Sequence, residues 1–186
     1  MAALIRPKKK ARAELTFHRI LFIAIWLSST IYAAARGGAP ERIVAAAQLL
    51  AGVLTGVVVA YMHPVSDYYS SVEVGVLLTD LSLFLVITLV ALGSTRFWPI
   101  LQAGMMGCDL FGHLAKPLGP DILPEAYYVT VAFWGYPMVA LVAVATWRHQ
   151  ARLRRYGVDY AWMWQLPRRY RDGWSVDELA RPISQN

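Results

Sequence analysis

The sequence predicts an all-α, polytopic membrane protein, in which four to five transmembrane helices form a small bundle with a short structured C-terminal tail. Of the 186 residues, 57% are apolar and only 16% are charged, whereas an average soluble domain has about 45–50% apolar and about 25% charged residues. Fourteen of the 18 Lys and Arg residues lie at or before Arg19 or from Arg148 onward. Between these limits the charge-poor chain divides into five apolar segments.

The first apolar segment, 20–35, follows a basic stretch, 1–19, that we expect to lie in the cytoplasm. A helix that crosses a bilayer needs roughly 20 apolar residues at 1.5 Å per residue. This segment has only 16 uncharged residues. It therefore either spans a locally thinned bilayer or lies along the cytoplasmic face, and both alternatives stay open.

Four further segments have the apolar content and approximate length of membrane-spanning helices. They are separated by glycine and proline, which favour turns. The segments are 43–62, 74–93, 97–114 and 126–147. Pro137 removes a backbone donor within the last of them, so a kink is expected near residue 133. Together the five segments make up a helical membrane domain, 20–147.

The distribution of Lys and Arg predicts the orientation, because these residues are retained on the cytoplasmic side during insertion. If 20–35 stays on the cytoplasmic face and the other segments span, 17 basic residues are inside and only Lys116 is outside. Five spans with a cytoplasmic N-terminus leave seven inside and 11 outside, against the rule. Five spans with the N-terminus outside require the lysines at 8–10 to cross the membrane. We expect a multi-pass protein of the bacterial inner (plasma) membrane whose tail, 148–186, is cytoplasmic.

Ionisable residues within the apolar segments are the leading candidates for function, since a charged group at mid-membrane costs at least about 2.5–3.5 kcal/mol. Asp109 and His113 are four residues apart and share a helix face. Glu73 and Asp80 are seven apart and also share a face. Counting residues from the outer membrane boundary places Asp80 and Asp109 at similar depth. We therefore expect an intramembrane polar site formed by Asp80, Asp109, His113 and Glu73.

Three interpretations of this polar site remain open. It can be a structural cluster of hydrogen bonds between helices, with Asp80 protonated or paired with His113. It can be a proton or cation relay. It can also hold a cofactor, quinone or metal through His113 together with His63, although no metal-binding motif supports this interpretation and no metal site is predicted. The identity of any cofactor is unknown.

The tail, 148–186, combines arginines with aromatic residues, a composition that is enriched at protein interfaces and at anionic lipid headgroups. We expect it to bind lipids or other membrane subunits. Nucleic acid is not an expected partner, because the basic residues flank apolar segments. The residues predicted to make these contacts are Arg152, Arg154, Arg155, Tyr160, Trp162, Trp164, Arg168 and Arg169.

Catalysis is not expected, since the sequence lacks nucleophile-elbow, phosphate-loop, zinc-protease and dinucleotide-binding motifs. The single cysteine, Cys108, excludes an internal disulfide and a cysteine-based metal site within one chain. The leading hypothesis is a non-catalytic integral membrane subunit or scaffold of a larger complex, for example a respiratory or photosynthetic one. The alternatives are a small proton or cation carrier or channel using Asp80, Asp109 and His113, and a cofactor-binding electron-transfer subunit.

Overall fold

The computed structural model describes residues 8–62, 74–118 and 133–166. Almost all of these residues are helical, and no strand beyond an isolated bridge occurs among them. The helices are α1 (Lys8–Arg36), α2 (Ala39–Met62), α3 (Val74–Gly93), α4 (Trp98–Leu118) and α5 (Gly135–Tyr156), and a single 3-10 turn follows at Met163–Gln165. The all-helical fold class predicted from the sequence is therefore confirmed.

Three of these helices are, by length and composition, able to cross a membrane, which indicates a membrane protein. The stretches are Phe17–Arg36 in α1, Ala39–Tyr61 in α2 and Val74–Gly93 in α3. The segment 20–35, too short by its uncharged residues alone, thus belongs to a helix of sufficient length. Of the other two helices, α4 carries two ionisable groups near its middle and α5 ends in arginines. The total of four or five spans stays a prediction.

The helices pack in chain order and the last one closes the bundle. α1 contacts α2, α2 contacts α3 and α3 contacts α4, as expected for helices joined by short connections. α5 packs against α1, α2 and α4. The buried core between them includes Ala33, Val44, Ile87, Met106 and Val142. Large aliphatic side chains on the outside of the bundle stay exposed, which suits a surface that faces lipid tails.

The connection between α1 and α2 is a tight turn at Gly37 and Gly38. The N–H of Gly37 donates to the carbonyl of Ala33 at 2.8 Å, and a Cβ at Gly37 would lie 2.9 Å from the Glu41 side chain. Pro40 occupies the first turn of α2, where a missing N–H costs no helical hydrogen bond. This turn brings the N-terminus of α2, and Glu41 with it, against the other helices.

α5 begins at Gly135, so Pro137 lies in its first turn and the helical hydrogen bonding is interrupted at Trp134. The interruption falls one residue from the predicted kink. At the other end α5 continues past residue 148 and stops at Gly157, whose φ of 72° is readily adopted by glycine. The predicted tail is thus helical over its first residues.

The chain after α5 folds back onto the loop between α3 and α4. The N–H of Thr95 donates to the carbonyl of Ala161 at 3.1 Å, and the hydroxyl of Thr95 donates to the carbonyl of Tyr160 at 2.7 Å. Ser94 forms an isolated bridge with Trp162. The described part of the tail is therefore packed against its own bundle.

Candidate functional site

The structure brings together three of the four residues predicted to form the intramembrane polar site. Asp80 comes from α3, and Asp109 and His113 come from one face of α4. Nε2 of His113 lies 3.0 Å from Oδ2 of Asp80, which is a hydrogen-bond distance. One ligand atom from each of the three residues lies within 4.8 Å of the other two. We call Asp80, Asp109 and His113 the intramembrane site; Glu73 lies outside the described residues.

The intramembrane site is shielded from solvent on the α4 side. His113 is 1% exposed and Asp109 is 4% exposed. The Asp80 side chain is 14% exposed. Oδ1 of Asp109 is buried and has no hydrogen-bond partner among the described residues. A buried carboxylate oxygen without a partner forfeits the hydrogen bonds that it would make in water.

A cavity of about 320 Å³ lies next to the site, and side chains from all five helices line it. Both aspartates face this cavity, together with two further polar side chains, Gln48 and Thr55 of α2. The rest of the lining is apolar or aromatic: Phe22, Trp26, Ala51, Gly52, Val76, Leu83, Met106, Trp134, Gly135, Met138 and Val139. An apolar cavity with a few convergent polar groups is typical of a small-ligand site.

Gly52 lets α1 and α2 approach closely beside this cavity. A Cβ at this position would overlap the indole ring of Trp26, whereas at Gly56, one turn further on, it would meet nothing within 4 Å. The close contact positions the Trp26 ring in the wall of the cavity. A larger residue at position 52 would force the indole away.

The electrostatic balance of the intramembrane site is incomplete. Two carboxylates lie close together at this depth, and no Lys or Arg is found among the described residues that line the cavity. His113, if protonated, supplies one positive charge for two carboxylates. In a low-dielectric interior an uncompensated ion is costly, so a second positive charge or a proton is needed.

A second polar cluster lies beyond the other end of α3, which is at Gly93, 13 residues from Asp80 and so roughly 20 Å away along the helix. Asp159 is its centre. Its Oδ1 accepts from the Arg96 guanidinium at 2.6 Å and from Nε of Arg152 at 3.0 Å. Its Oδ2 lies 2.5 Å from Nδ1 of His149. We call these four residues the Asp159 cluster.

The Asp159 cluster holds its carboxylate in the ionised form. Burial by itself raises the pKa of Asp159, but the hydrogen bonds from Arg96, Arg152 and His149 outweigh burial. The net pKa of Asp159 therefore lies below its ordinary value. The cluster joins the α3–α4 loop, the end of α5 and the tail through one charged group.

Glu41 lies near the Asp159 cluster and is fully buried. Its Oε1 accepts a hydrogen bond from Nε1 of Trp98 at 3.2 Å. Its Oε2 has no hydrogen-bond partner within the described part of the chain. A Cβ at Gly38 would lie close to both the Glu41 carboxylate and the His149 ring, so these two groups face the same turn.

Sequence reasoning did not single out Glu41, Arg96, His149 or Asp159. Arg96 is the only Lys or Arg between Arg42 and Lys116, and this isolation was the one available signal. Its partner at 159 is 63 residues away in the sequence. Nothing in the local pattern connects the two.

The predicted contact residues of the tail divide into two groups. Arg152 bonds to Asp159 within the chain, and the rings of Trp162 and Trp164 stack at a centroid distance of 4.9 Å. The remaining described residues, Arg154, Arg155 and Tyr160, are exposed. Arg168 and Arg169 lie outside the described residues.

The intramembrane site offers two carboxylates and one imidazole beside a cavity, a set of groups that can bind a cation or exchange protons. His63, the other predicted ligand, lies outside the described residues. No protein family model, no curated protein and no solved structure matches this chain.

Proposed function

We propose that this protein is a small membrane carrier for a cation, with Asp80, Asp109 and His113 as its binding site inside the bundle. The observation that carries this proposal is the geometry of the site. Two carboxylates and an imidazole place ligand atoms within 4.8 Å of one another beside a cavity whose described lining has no Lys or Arg.

A comparison of free energies favours a binding role for these residues over a purely structural one. An ionised group at mid-membrane costs at least about 2.5–3.5 kcal/mol. A hydrogen bond between membrane helices returns on average only about 0.6 kcal/mol. The contact between His113 and Asp80 is thus too weak to explain why two aspartates occupy this position. A cation that binds between them supplies the missing compensation.

The cavity provides a route by which a cation can reach the site. Gln48 and Thr55 add polar groups to the lining that contains Asp80 and Asp109, and the aromatic rings of Trp26 and Trp134 also line the cavity. A polar strip in an otherwise apolar wall allows a hydrated ion to approach without exposing the bilayer to charge. In the orientation predicted from the basic residues, the site lies in the outer half of a bacterial inner membrane and the tail is cytoplasmic.

Flux measurements on reconstituted protein test the proposal. Liposomes that contain the purified chain are loaded with indicators for protons, monovalent cations and divalent cations. We expect flux of one of these ions with the wild type and its loss in Asp80→Asn and Asp109→Asn. Cys108→Ser changes an exposed neighbour of Asp109 on α4, and Ser82→Ala an exposed neighbour of Asp80 on α3, so both should retain flux. No flux above empty liposomes would contradict the proposal.

A role as subunit of a larger membrane complex is a second candidate, supported by the exposed residues after residue 155. Tyr156 is 63% exposed, Trp164 62% and Tyr160 45%, and aromatic and arginine side chains are enriched at protein interfaces. Native mass spectrometry after gentle solubilisation from the original membrane tests this role. A partner subunit is expected; a monomer with lipid alone would count against it.

A further inference from the structure

We infer that the cation bound at the intramembrane site is a divalent transition-metal ion, coordinated by Asp80, Asp109 and His113. The inference rests on the proposed function and narrows its cation to a chemical class. Three features of the site support it: the types of ligand atom, the distances between the ligand atoms and the charge of the site.

The ligand atoms favour a transition metal over the hard cations. Carboxylate oxygens suit Mg²⁺, Ca²⁺ and Mn²⁺, whereas imidazole nitrogen suits Zn²⁺, Fe²⁺, Ni²⁺ and Cu²⁺. His113 contributes an imidazole, and its Nε2 is the atom that faces Asp80. A mixed set of one nitrogen and two oxygens therefore selects an ion that accepts both, such as Zn²⁺, Fe²⁺ or Mn²⁺.

The distances are close to those that coordination requires. Ligands at about 2.1 Å from one tetrahedral ion lie about 3.4 Å from each other. Nε2 of His113 and Oδ2 of Asp80 are 3.0 Å apart, and all three ligand atoms are within 4.8 Å. Oδ1 of Asp109 has no hydrogen bond among the described residues, so this oxygen is available as a ligand.

The charge of the site favours a divalent ion over a monovalent one. Two ionised aspartates carry two negative charges, and the described lining of the cavity contains no Lys or Arg. A divalent ion on a neutral imidazole neutralises both carboxylates at once. A monovalent ion leaves one negative charge inside the bundle. Binding of the metal displaces to solvent any proton shared between His113 and Asp80, since a ligand atom cannot hold both.

Gln48 places a further polar group in the cavity. It belongs to α2, it is only 8% exposed, and it lines the same cavity as both aspartates. Buried amides are normally satisfied by protein or by ordered water. A metal-bound water in the cavity gives the Gln48 amide a hydrogen-bond partner.

Cobalt is the probe that tests this inference, because Co²⁺ replaces Zn²⁺ at nitrogen and oxygen sites and has visible absorption bands. The full chain, purified in detergent and treated with chelator, is titrated with CoCl₂ and then with ZnCl₂ as competitor. We expect one Co²⁺ per chain, bands typical of low coordination number, and displacement by Zn²⁺ but not by Mg²⁺. The Asp109→Asn and His113→Gln variants should lose the bands.

Two further variants make the result specific. Gln48→Leu should weaken Co²⁺ binding by about 10–100-fold without abolishing it, as expected for a group that acts through bound water. Cys108→Ser should bind as the wild type does, which excludes the free thiol as the ligand. Circular dichroism and size-exclusion profiles without metal verify that each variant is folded. Equal Co²⁺ binding by wild type and Asp109→Asn would overturn the inference, and so would the absence of binding to folded wild type.

Binding and flux together separate this inference from the proposed function. Co²⁺ binding without any ion flux in liposomes would support the metal site and contradict the carrier. Proton flux in a protein that binds no Co²⁺ or Zn²⁺ would support the carrier and overturn the metal site. Flux of a divalent metal that Asp109→Asn abolishes would support both.

Discussion

The two polar clusters of this bundle contain similar residue types but differ in how their charges are balanced. In the Asp159 cluster one carboxylate receives two arginines and a histidine. In the intramembrane site two carboxylates share one histidine, and one carboxylate oxygen has no partner in the described structure. A carboxylate that neighbouring arginines compensate stabilises the fold, whereas carboxylates without such compensation are suited to bind a positive charge that the protein does not supply. Substitutions at the two clusters should therefore act in opposite directions.

The largest expected effect is the loss of stability when Asp159 is removed. Its side chain is 6% exposed and that of Arg96 is 7% exposed. Breaking a buried ion pair by removing one partner costs about 3–5 kcal/mol, because the other charge stays buried. We expect Asp159→Ala to lower the free energy of unfolding in detergent by about this amount. Arg154→Ala, which changes an exposed arginine of α5, the helix that carries Arg152, is the control and should cost little.

The pH dependence of the stability that Asp159 contributes gives a second test. The pKa of Asp159 in the folded protein lies below the ordinary value of 3.8. A depressed pKa contributes stability that is fully present above the unfolded pKa and is lost as the pH falls through the folded pKa. The difference in Tm between wild type and Asp159→Asn should thus be constant near neutral pH and shrink below about pH 4. A difference that instead disappears between pH 8 and pH 6 would contradict this assignment.

At the intramembrane site we expect a substitution to change the free energy of unfolding in the opposite direction. Asp109→Asn removes a buried charge that has no arginine or lysine opposite it in the described lining. We expect the metal-free variant to be as stable as the wild type or more stable by about 1–2 kcal/mol, because the desolvation cost of an ion is removed. Thermal unfolding after chelator treatment measures this. A destabilisation as large as that of Asp159→Ala would show that Asp109 has a structural role.

The smallest expected effect concerns the tail. Trp164 stacks on Trp162 with an interplanar angle of 7°, and aromatic pairs contribute about 0.5–1.5 kcal/mol. Trp164→Ala should lower stability by this amount. Trp147 is equally exposed, at 62%, and has no ring partner among the described residues, so Trp147→Ala is a matched control. Equal effects of the two substitutions would indicate that the stack does not hold the tail.

The intramembrane site could be anticipated from the sequence to a large extent. Asp109 and His113 are one helical turn apart, and counting 1.5 Å per residue placed Asp80 of the neighbouring antiparallel helix at a similar depth. Both quantities are local and do not depend on how the rest of the chain packs. The actual contact is between Asp80 and His113, and counting residues could not distinguish it from a contact between the two aspartates.

The Asp159 cluster could not be anticipated, because it depends on the return of the chain after Gly157. The sequence assigned Arg152 to contacts with lipid or a partner, and the structure pairs it with Asp159. Glu41 falls in the connection before the predicted segment 43–62, yet α2 begins earlier, at Ala39, and buries this carboxylate. The pattern of apolar residues marks where a span is hydrophobic enough. It does not mark where a helix starts.

The sequence by itself determined the all-helical class of the protein and predicted that its unusual charges lie at similar depth. Both follow from composition and from the constant rise of a helix, which are properties of short stretches. Only the tertiary structure decided which charges are balanced. Asp159 is compensated by Arg96, Arg152 and His149 because three elements meet at one end of the bundle. Asp80 and Asp109 face a cavity whose described lining contains no arginine or lysine, and compensation of a buried charge depends on what lies within a few ångström in space.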